Sequence, residues 1–95
     1  MSKSIIQEDK DICYICNNYI YNGRDCHHIY GGGNRRKSDE DGMFVYVHRC
    51  CHRWLHDHPK SNENYKKRCQ KIWMNYYGKS KEDFIKRYGR NYLEE

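Results

Sequence analysis

The sequence is poor in the residues from which hydrophobic cores are built. Only 37% of its 95 residues are hydrophobic even with tyrosine included, 33% are charged, and there are two phenylalanines and one proline. A chain of this length buries only a modest fraction of its surface on folding. A core of these residues alone would be marginal, so we expect a further stabilising element such as a bound metal ion.

Long apolar runs are also missing. No segment approaches the roughly 20 apolar residues of a membrane-spanning helix, and the N-terminus has no apolar run of signal-peptide length. These absences favour a cytoplasmic protein with no membrane partner, in which cysteines stay reduced. The six cysteines therefore indicate metal binding better than a disulfide framework.

Positive charge is concentrated toward the C-terminus. The net charge is 18 − 13 = +5, with −1 in residues 1–30, +2 in residues 31–60 and +4 in residues 61–95. A basic C-terminal part suits an anionic partner such as nucleic acid, and it is equally compatible with a solvated helix face.

The residue pattern predicts extended segments first and helices afterwards. Residues 26–30 and the β-branched and aromatic residues 43–47 are expected to be extended, and the three glycines at 31–33 to form a loop. Helical spacing follows from His52 to His56. Residues 1–10 are expected to be a flexible lead-in, residues 11–59 a zinc-knuckle core, and residues 60–95 a basic helical extension that packs on it.

Two amphipathic helices are predicted in this extension. Ser61 is suited to cap a helix that ends before Gly78, and Ser80 to cap a shorter one that ends at Gly89. Their apolar positions recur at helical spacing and are expected to face a core: Tyr65, Cys69, Ile72, Trp73, Tyr76, Phe84, Ile85 and Tyr88.

Two short pairs of metal-binding residues predict a structural zinc site. Cys13 and Cys16 form a Cys-x-x-Cys knuckle, and His48 and Cys51 repeat its spacing. Together they supply the four ligands of a closed tetrahedral site, whose binding energy would be folding energy. Cys50 is an alternative ligand in place of His48 or Cys51.

The remaining histidines predict a second, open site. His52 and His56 share one face of a helix, and one histidine of the pair His27–His28 can complete a three-histidine site with a position left for water or phosphate. A divalent ion there can assist phosphodiester hydrolysis. Neighbouring residues of an extended segment point to opposite faces, so one histidine can hold the ion while the other takes a proton from water.

This combination resembles the HNH endonucleases, and in particular the small zinc-knuckle HNH proteins of bacteriophages and prophages. The resemblance covers about residues 12–93. The segments that carry it are Cys13-x-x-Cys16, His27-His28-Ile29-Tyr30-Gly31-Gly32, Asn34-Arg35, Val45-Tyr46-Val47 and His48-x-x-Cys51-His52. It implies an α+β fold: a zinc-stabilised ββα-metal (HNH, or His-Me finger) domain at residues 11–59, followed by two C-terminal helices.

The resemblance also implies an activity and the residues behind it. The chain would be a metal-dependent DNA endonuclease or nickase with a single catalytic divalent ion, held by His27, His52 and His56. His28 would be the general base. Asn34 is the nearest candidate to orient this base or order the loop, and a plain turn role suits it equally. An all-histidine site favours Zn²⁺, Ni²⁺ or Mn²⁺ over Mg²⁺.

The expected partner is DNA, bound mainly through its phosphate backbone. Arg35, Arg36, Lys37 and Arg53 are the candidate DNA-binding residues, and the protein is expected to be a monomer or weak dimer in the cytoplasm, that of the host cell if it is phage-encoded. The chain departs from the family pattern because the central asparagine has no clean match at residues 41–43. An alternative is therefore a catalytically inactive zinc-binding phage module that binds nucleic acid or a host protein.

Overall fold

The structure is a computed structural model that describes residues 3–93. The parts of the predicted lead-in and extension at residues 1–2 and 94–95 lie outside this range. The elements are, in chain order, β1 (Arg24–His28), a 3₁₀ turn (Gly32–Asn34), α1 (Arg35–Asp41), β2 (Phe44–His48), α2 (Arg49–Asp57), α3 (Pro59–Tyr77) and α4 (Lys81–Tyr88). Within the described range this is a small α+β fold with one two-stranded sheet and four helices, which confirms the predicted class.

The two strands are antiparallel and place the tandem histidines on opposite faces. His27 pairs with Val45, and His28 pairs with Phe44. Because side chains alternate along a strand, Asp25 lies on the face of His27. The helix α2 follows β2 directly, and its contacts with β1 lie on this same face.

The loop between β1 and β2 is more regular than predicted. Two of its three glycines belong to the 3₁₀ turn, and α1 extends over seven residues. Gly42 ends α1 with a φ of +76°, and a Cβ at this position would collide with the backbone carbonyl of Lys3. Both the conformation and the close approach therefore require glycine here.

The N-terminal segment is attached to β2, in contrast to the flexible lead-in expected at residues 1–10. The Ser4 hydroxyl donates to the Phe44 carbonyl at 2.6 Å. The Gln7 amide both accepts from the Tyr46 backbone N–H at 2.6 Å and donates to the Tyr46 carbonyl at 3.1 Å. The side chains of Ser4 and Gln7 thus bond to backbone groups of β2 that a third strand would otherwise pair with.

The C-terminal helices begin and end at local signals. Gly78 ends α3 with a φ of +63°, and Ser80 caps α4 in a reciprocal hydrogen-bonded pair with Asp83, as predicted. The predicted N-cap of α3 at Ser61 was wrong, because Pro59 is already the first helical residue. The fixed φ of proline suits this position, and its missing N–H costs nothing there.

An aromatic core joins the C-terminal helices to the rest of the domain. Tyr30, which follows β1, is buried with its ring centroid 5.3 Å from that of Phe84 and 4.7 Å from that of Tyr88. Two members of the predicted apolar faces lie outside this core, since Tyr76 is 63% exposed and Ile85 is 37% exposed.

The carboxylate of Asp41 fastens the end of α1 to both C-terminal helices. It accepts hydrogen bonds from Trp73 Nε1 at 2.9 Å, from the Tyr88 hydroxyl at 2.7 Å and from Arg87 Nε at 3.1 Å. Asp41 lies in the region where the family's central asparagine was sought, and here it has a structural role.

None of the helices within residues 3–93 combines the length and the apolar character that crossing a membrane requires.

Candidate metal centres

The structure brings the two predicted knuckles together. One potential ligand atom from each of Cys13, Cys16, His48 and Cys51 lies within 4.8 Å of all the others. Cys50 is exposed and lies outside this group. The group can hold a metal ion such as zinc, and the structure favours His48 and Cys51 over the Cys50 alternative.

The local backbone explains how the first knuckle forms. The Cys13 carbonyl accepts from the Asn17 N–H at 2.8 Å, and the Cys13 N–H donates to the Asn18 carbonyl at 2.9 Å, which closes a tight turn. Asn17 has a φ of +63°, a conformation that asparagine tolerates better than most non-glycine residues. The second pair follows because β2 ends at His48 and Cys51 lies in the first turn of α2.

Hydrogen bonds orient His48 as a ligand. Its Nε2 is 3.1 Å from the Tyr19 carbonyl oxygen, which accepts the ring proton, and its Nδ1 is 3.3 Å from Cys16 Sγ. A carbonyl that holds the proton on one ring nitrogen leaves the other free for a metal.

The thiols of the cluster differ in acidity. Burial alone would raise the pKa of Cys13, but backbone N–H groups, those of Cys16 and His48 among them, lower it to about 6. The pKa of Cys51 is raised by burial and by the neighbouring thiols of Cys13 and Cys16. Zinc bound by these residues would hold the three cysteines as thiolates, and its positive charge would offset their mutual repulsion.

A second group of histidines surrounds a pocket between β1, α2 and α3. The ring centroids of His27 and His52 are 5.0 Å apart, as are those of His52 and His56. Polar and aromatic residues line the pocket: His27, His28, Asn34, Arg35, His52, His56, Asn62, Lys66 and Tyr92. Within residues 3–93, only the cysteine-rich group gathers three or more His, Cys, Asp or Glu ligand atoms within 4.8 Å, so the three histidines are less closely grouped.

His27 is the innermost of these side chains. It is only 7% exposed, and its Nε2 has no hydrogen-bond partner among the described residues. Burial, with smaller contributions from the charges of His52 and His56, lowers the pKa of His27 to about 4. The ring is therefore neutral at pH 7, which is the form that binds metal.

Asp25 orients His52. Its Oδ2 is 3.1 Å from His52 Nδ1, and this hydrogen bond is the main cause that lowers the pKa of Asp25. The carboxylate holds the ring proton on Nδ1 and leaves the lone pair on Nε2, as in many metal sites. Asp25 was not among the predicted site residues, although its position two residues before His27 predicts the same strand face.

Asp39 has a similar relation to His28. Its Oδ1 is 3.3 Å from His28 Nε2, across the loop from β1 to α1. His28 lies beside Phe44 on the sheet face opposite His27, and it lines both the histidine pocket and a neighbouring depression with Arg35 and Asp39. Asp39 was also missed, because its approach to His28 depends on the length of α1.

Asn34 is hydrogen-bonded to the end of α4. Its Nδ2 donates to the Tyr88 carbonyl at 2.8 Å, and its backbone N–H donates to the Gly31 carbonyl at 3.0 Å. The side-chain amide therefore joins the glycine loop to the end of α4 and is not bonded to His28.

The predicted DNA-binding residues are distributed unevenly around the pocket. Arg35 lines it, and Arg36 lines the neighbouring depression. Lys37 and Arg53 are not among the described residues that line either one. Lys66 of α3, which was not predicted, contributes a positive charge to the pocket.

Comparison of the chain with known protein families, with curated proteins and with solved structures found no match. The resemblance to HNH endonucleases thus stays a prediction, and a functional assignment depends on the geometry of this chain.

Proposed function

We propose that the protein is a metal-dependent DNA endonuclease or nickase of the HNH type, with His28 as general base. One divalent ion would be held by His27, His52 and His56, separately from a structural zinc ion in the cysteine cluster. The observation that carries this proposal is the convergence of four histidines from β1 and α2 on one pocket. A merely structural role would not require four imidazoles on the lining of one pocket.

The donor set of the pocket fits a transition ion. His27 offers a buried nitrogen without a partner, and Asp25 leaves His52 Nε2 available. His56 lies one helical turn beyond His52, on the same face. A divalent ion, when bound, stabilises negative charge on the phosphate oxygens and on the leaving oxygen.

His28 is suited to take the proton from the attacking water. Asp39 can accept the ring proton from Nε2, and this tautomer leaves the lone pair on Nδ1. A base that is itself oriented by a third group is a recurrent arrangement in hydrolases. Transfer of the water proton to Nδ1 accompanies bond formation between the water oxygen and phosphorus. The bond between phosphorus and the 3′ oxygen then breaks, and the 3′ oxygen takes a proton from water. The products are the 5′-phosphate and 3′-hydroxyl that the resemblance implies.

Charge around the pocket supports an anionic substrate. Arg35 and Lys66 lie on its lining, and residues 61–95 carry a net charge of +4. Binding that depends on phosphate contacts weakens steeply as salt is added. We therefore expect DNA binding with little sequence preference and a strong dependence on salt.

Plasmid nicking with a matched pair of variants tests the proposal. His28→Ala is expected to lower the rate by about 10²-fold or more, without a change in zinc content. His58→Ala is the control, because His58 is exposed and stacked on Trp54 with ring centroids 4.1 Å apart. Cleavage by His28→Ala at the wild-type rate would exclude His28 as the base. A wild-type protein that cuts no DNA with Mn²⁺, Ni²⁺ or Zn²⁺ would contradict the activity itself.

A catalytically inactive zinc-binding module is the second candidate. It is favoured because the ligand atoms of the three histidines are less closely grouped than those of the cysteine cluster. It is also favoured because the Asn34 amide is bonded to Tyr88 and does not orient His28. This candidate predicts one ion per chain, with binding of nucleic acid or a host protein but no turnover.

A further inference from the structure

We propose that Asn62 of α3 supplies an oxygen ligand to the divalent ion of the histidine pocket. The proposal rests on the metal site of the proposed function, and it adds a residue outside the motif that carries the HNH resemblance. Its consequence is that the C-terminal extension completes the metal site in addition to packing against the core.

Two unpaired polar atoms meet at this pocket. Within residues 3–93, the buried side-chain nitrogen and oxygen atoms without a hydrogen-bond partner are His27 Nε2 and Asn62 Oδ1. Both residues line the same pocket. Burying a polar atom without a partner is unfavourable, so two such atoms in one place require an explanation.

A cation satisfies both atoms at once. An imidazole nitrogen and an amide oxygen can each direct a lone pair at an ion. The Asn62 side chain lies within reach of the His27 ring, but the two atoms form no hydrogen bond of acceptable geometry. His52 and His56 line the same pocket. Among the described residues the three histidines do not bring their ligand atoms within 4.8 Å of one another, so an ion bound by three nitrogens and the Asn62 oxygen would draw these side chains closer together. Amide oxygen is a ligand that suits Mn²⁺ better than the softer transition ions.

The backbone holds Asn62 in a defined place. Pro59 begins α3, and the Asn62 N–H donates to the His58 carbonyl at 3.1 Å in the first helical turn. The ligand oxygen is therefore presented by a rigid element next to the junction with α2, which carries His52 and His56.

Calorimetric titration of the zinc-loaded protein with Mn²⁺ and with Ni²⁺ tests the proposal. Asn62→Ala is expected to weaken Mn²⁺ binding by about 10-fold or more, the order seen when groups around a metal are removed, and to weaken Ni²⁺ binding less. Asn62→Asp is expected to strengthen Mn²⁺ binding, because a carboxylate is a stronger oxygen ligand. Asn64→Ala, at an exposed position on the same helix, is expected to match the wild type.

The ways in which the Asn62 proposal can fail give different experimental results. Wild-type Mn²⁺ affinity in Asn62→Ala would exclude Asn62 as a ligand and leave the histidine site intact. Equal weakening of Mn²⁺ and Ni²⁺, or weaker Mn²⁺ binding in Asn62→Asp, would also overturn the proposal, since either result indicates a packing role. Asn62→Asp keeps the side-chain shape and allows the test even if Asn62→Ala does not fold. A wild-type protein that binds no ion beyond zinc would overturn this proposal together with the proposed histidine metal site.

Discussion

Replacing either of two adjacent cysteines, Cys50 or Cys51, tests which of them is a zinc ligand. Cys51 Sγ lies in the cluster with Cys13, whereas Cys50 is exposed and outside it. Cys51→Ser removes one of four ligands from a site that connects the N-terminal knuckle to β2 and α2. Cys50→Ser makes the same chemical change one residue away.

The expected difference between these variants is large. Structural zinc contributes about 10–16 kcal/mol of apparent binding free energy in small zinc-dependent peptides, while a whole domain is stable by only about 5–15 kcal/mol. We therefore expect Cys51→Ser to lose zinc and to be largely unfolded at 25 °C. Cys50→Ser, a surface change, should stay within about 0.5 kcal/mol of the wild type.

Zinc content after dialysis and thermal unfolding followed by circular dichroism measure both effects. Loss of zinc from Cys50→Ser, with retention in Cys51→Ser, would show that Cys50 is the ligand and that the geometric reasoning is wrong. Stable, zinc-free wild-type protein after chelation would refute the idea that metal binding supplies the folding energy.

Three further predictions concern the polar groups around the core and the histidine pocket. Asp25→Ala removes the acceptor that orients His52 and should weaken binding of the second metal ion by about 10–100-fold in calorimetric titration; unchanged affinity would contradict this. Asp41→Ala leaves Trp73 Nε1 without its acceptor and removes one of the two carboxylates paired with Arg87, the other being Glu40. It should lower the free energy of unfolding in urea by about 2 kcal/mol, whereas a loss below about 0.5 kcal/mol would contradict it. His27 has a pKa of about 4 when folded, against an ordinary value of 6.5. The unfolded chain therefore takes up the proton first, and stability present above pH 6.5 falls as the pH drops toward 4. Between pH 7 and pH 5 the wild type should lose about 2 kcal/mol more than His27→Gln in urea unfolding, and equal losses would contradict the buried neutral ring.

Local signals in the sequence predicted those parts of the fold that depend on neighbouring residues. Gly78 and Ser80 act on the backbone next to them, so the end of α3 and the start of α4 could be predicted from the sequence. The attachment of Gln7 to β2 could not, because it depends on a partner 39 residues away. The predicted start of α3 at Ser61 was wrong because another helix-start signal, Pro59, lies two residues before it.

The candidate sites also contain parts that local spacing predicts and parts that depend on the fold. The residues of the cysteine cluster come in two short pairs, so spacing favoured His48 and Cys51. The fold was needed to separate them from the Cys50 alternative. Asp25 and Asp39 were missed because a carboxylate has no distinctive spacing, and its role depends on which histidine the fold brings near. Asn62 lies on another helix from the histidines, and only the burial of its unpaired oxygen draws attention to it.

X-ray diffraction near the absorption edge of the bound metal tests the central claim most directly. Crystals grown from zinc-loaded protein and soaked in Mn²⁺ should show two anomalous peaks per chain. We expect a zinc peak among Cys13, Cys16, His48 and Cys51, and a manganese peak between His27, His52 and His56. A single peak at the cysteine cluster, with the histidine pocket empty at saturating Mn²⁺, would contradict the endonuclease proposal and favour the inactive zinc-binding module.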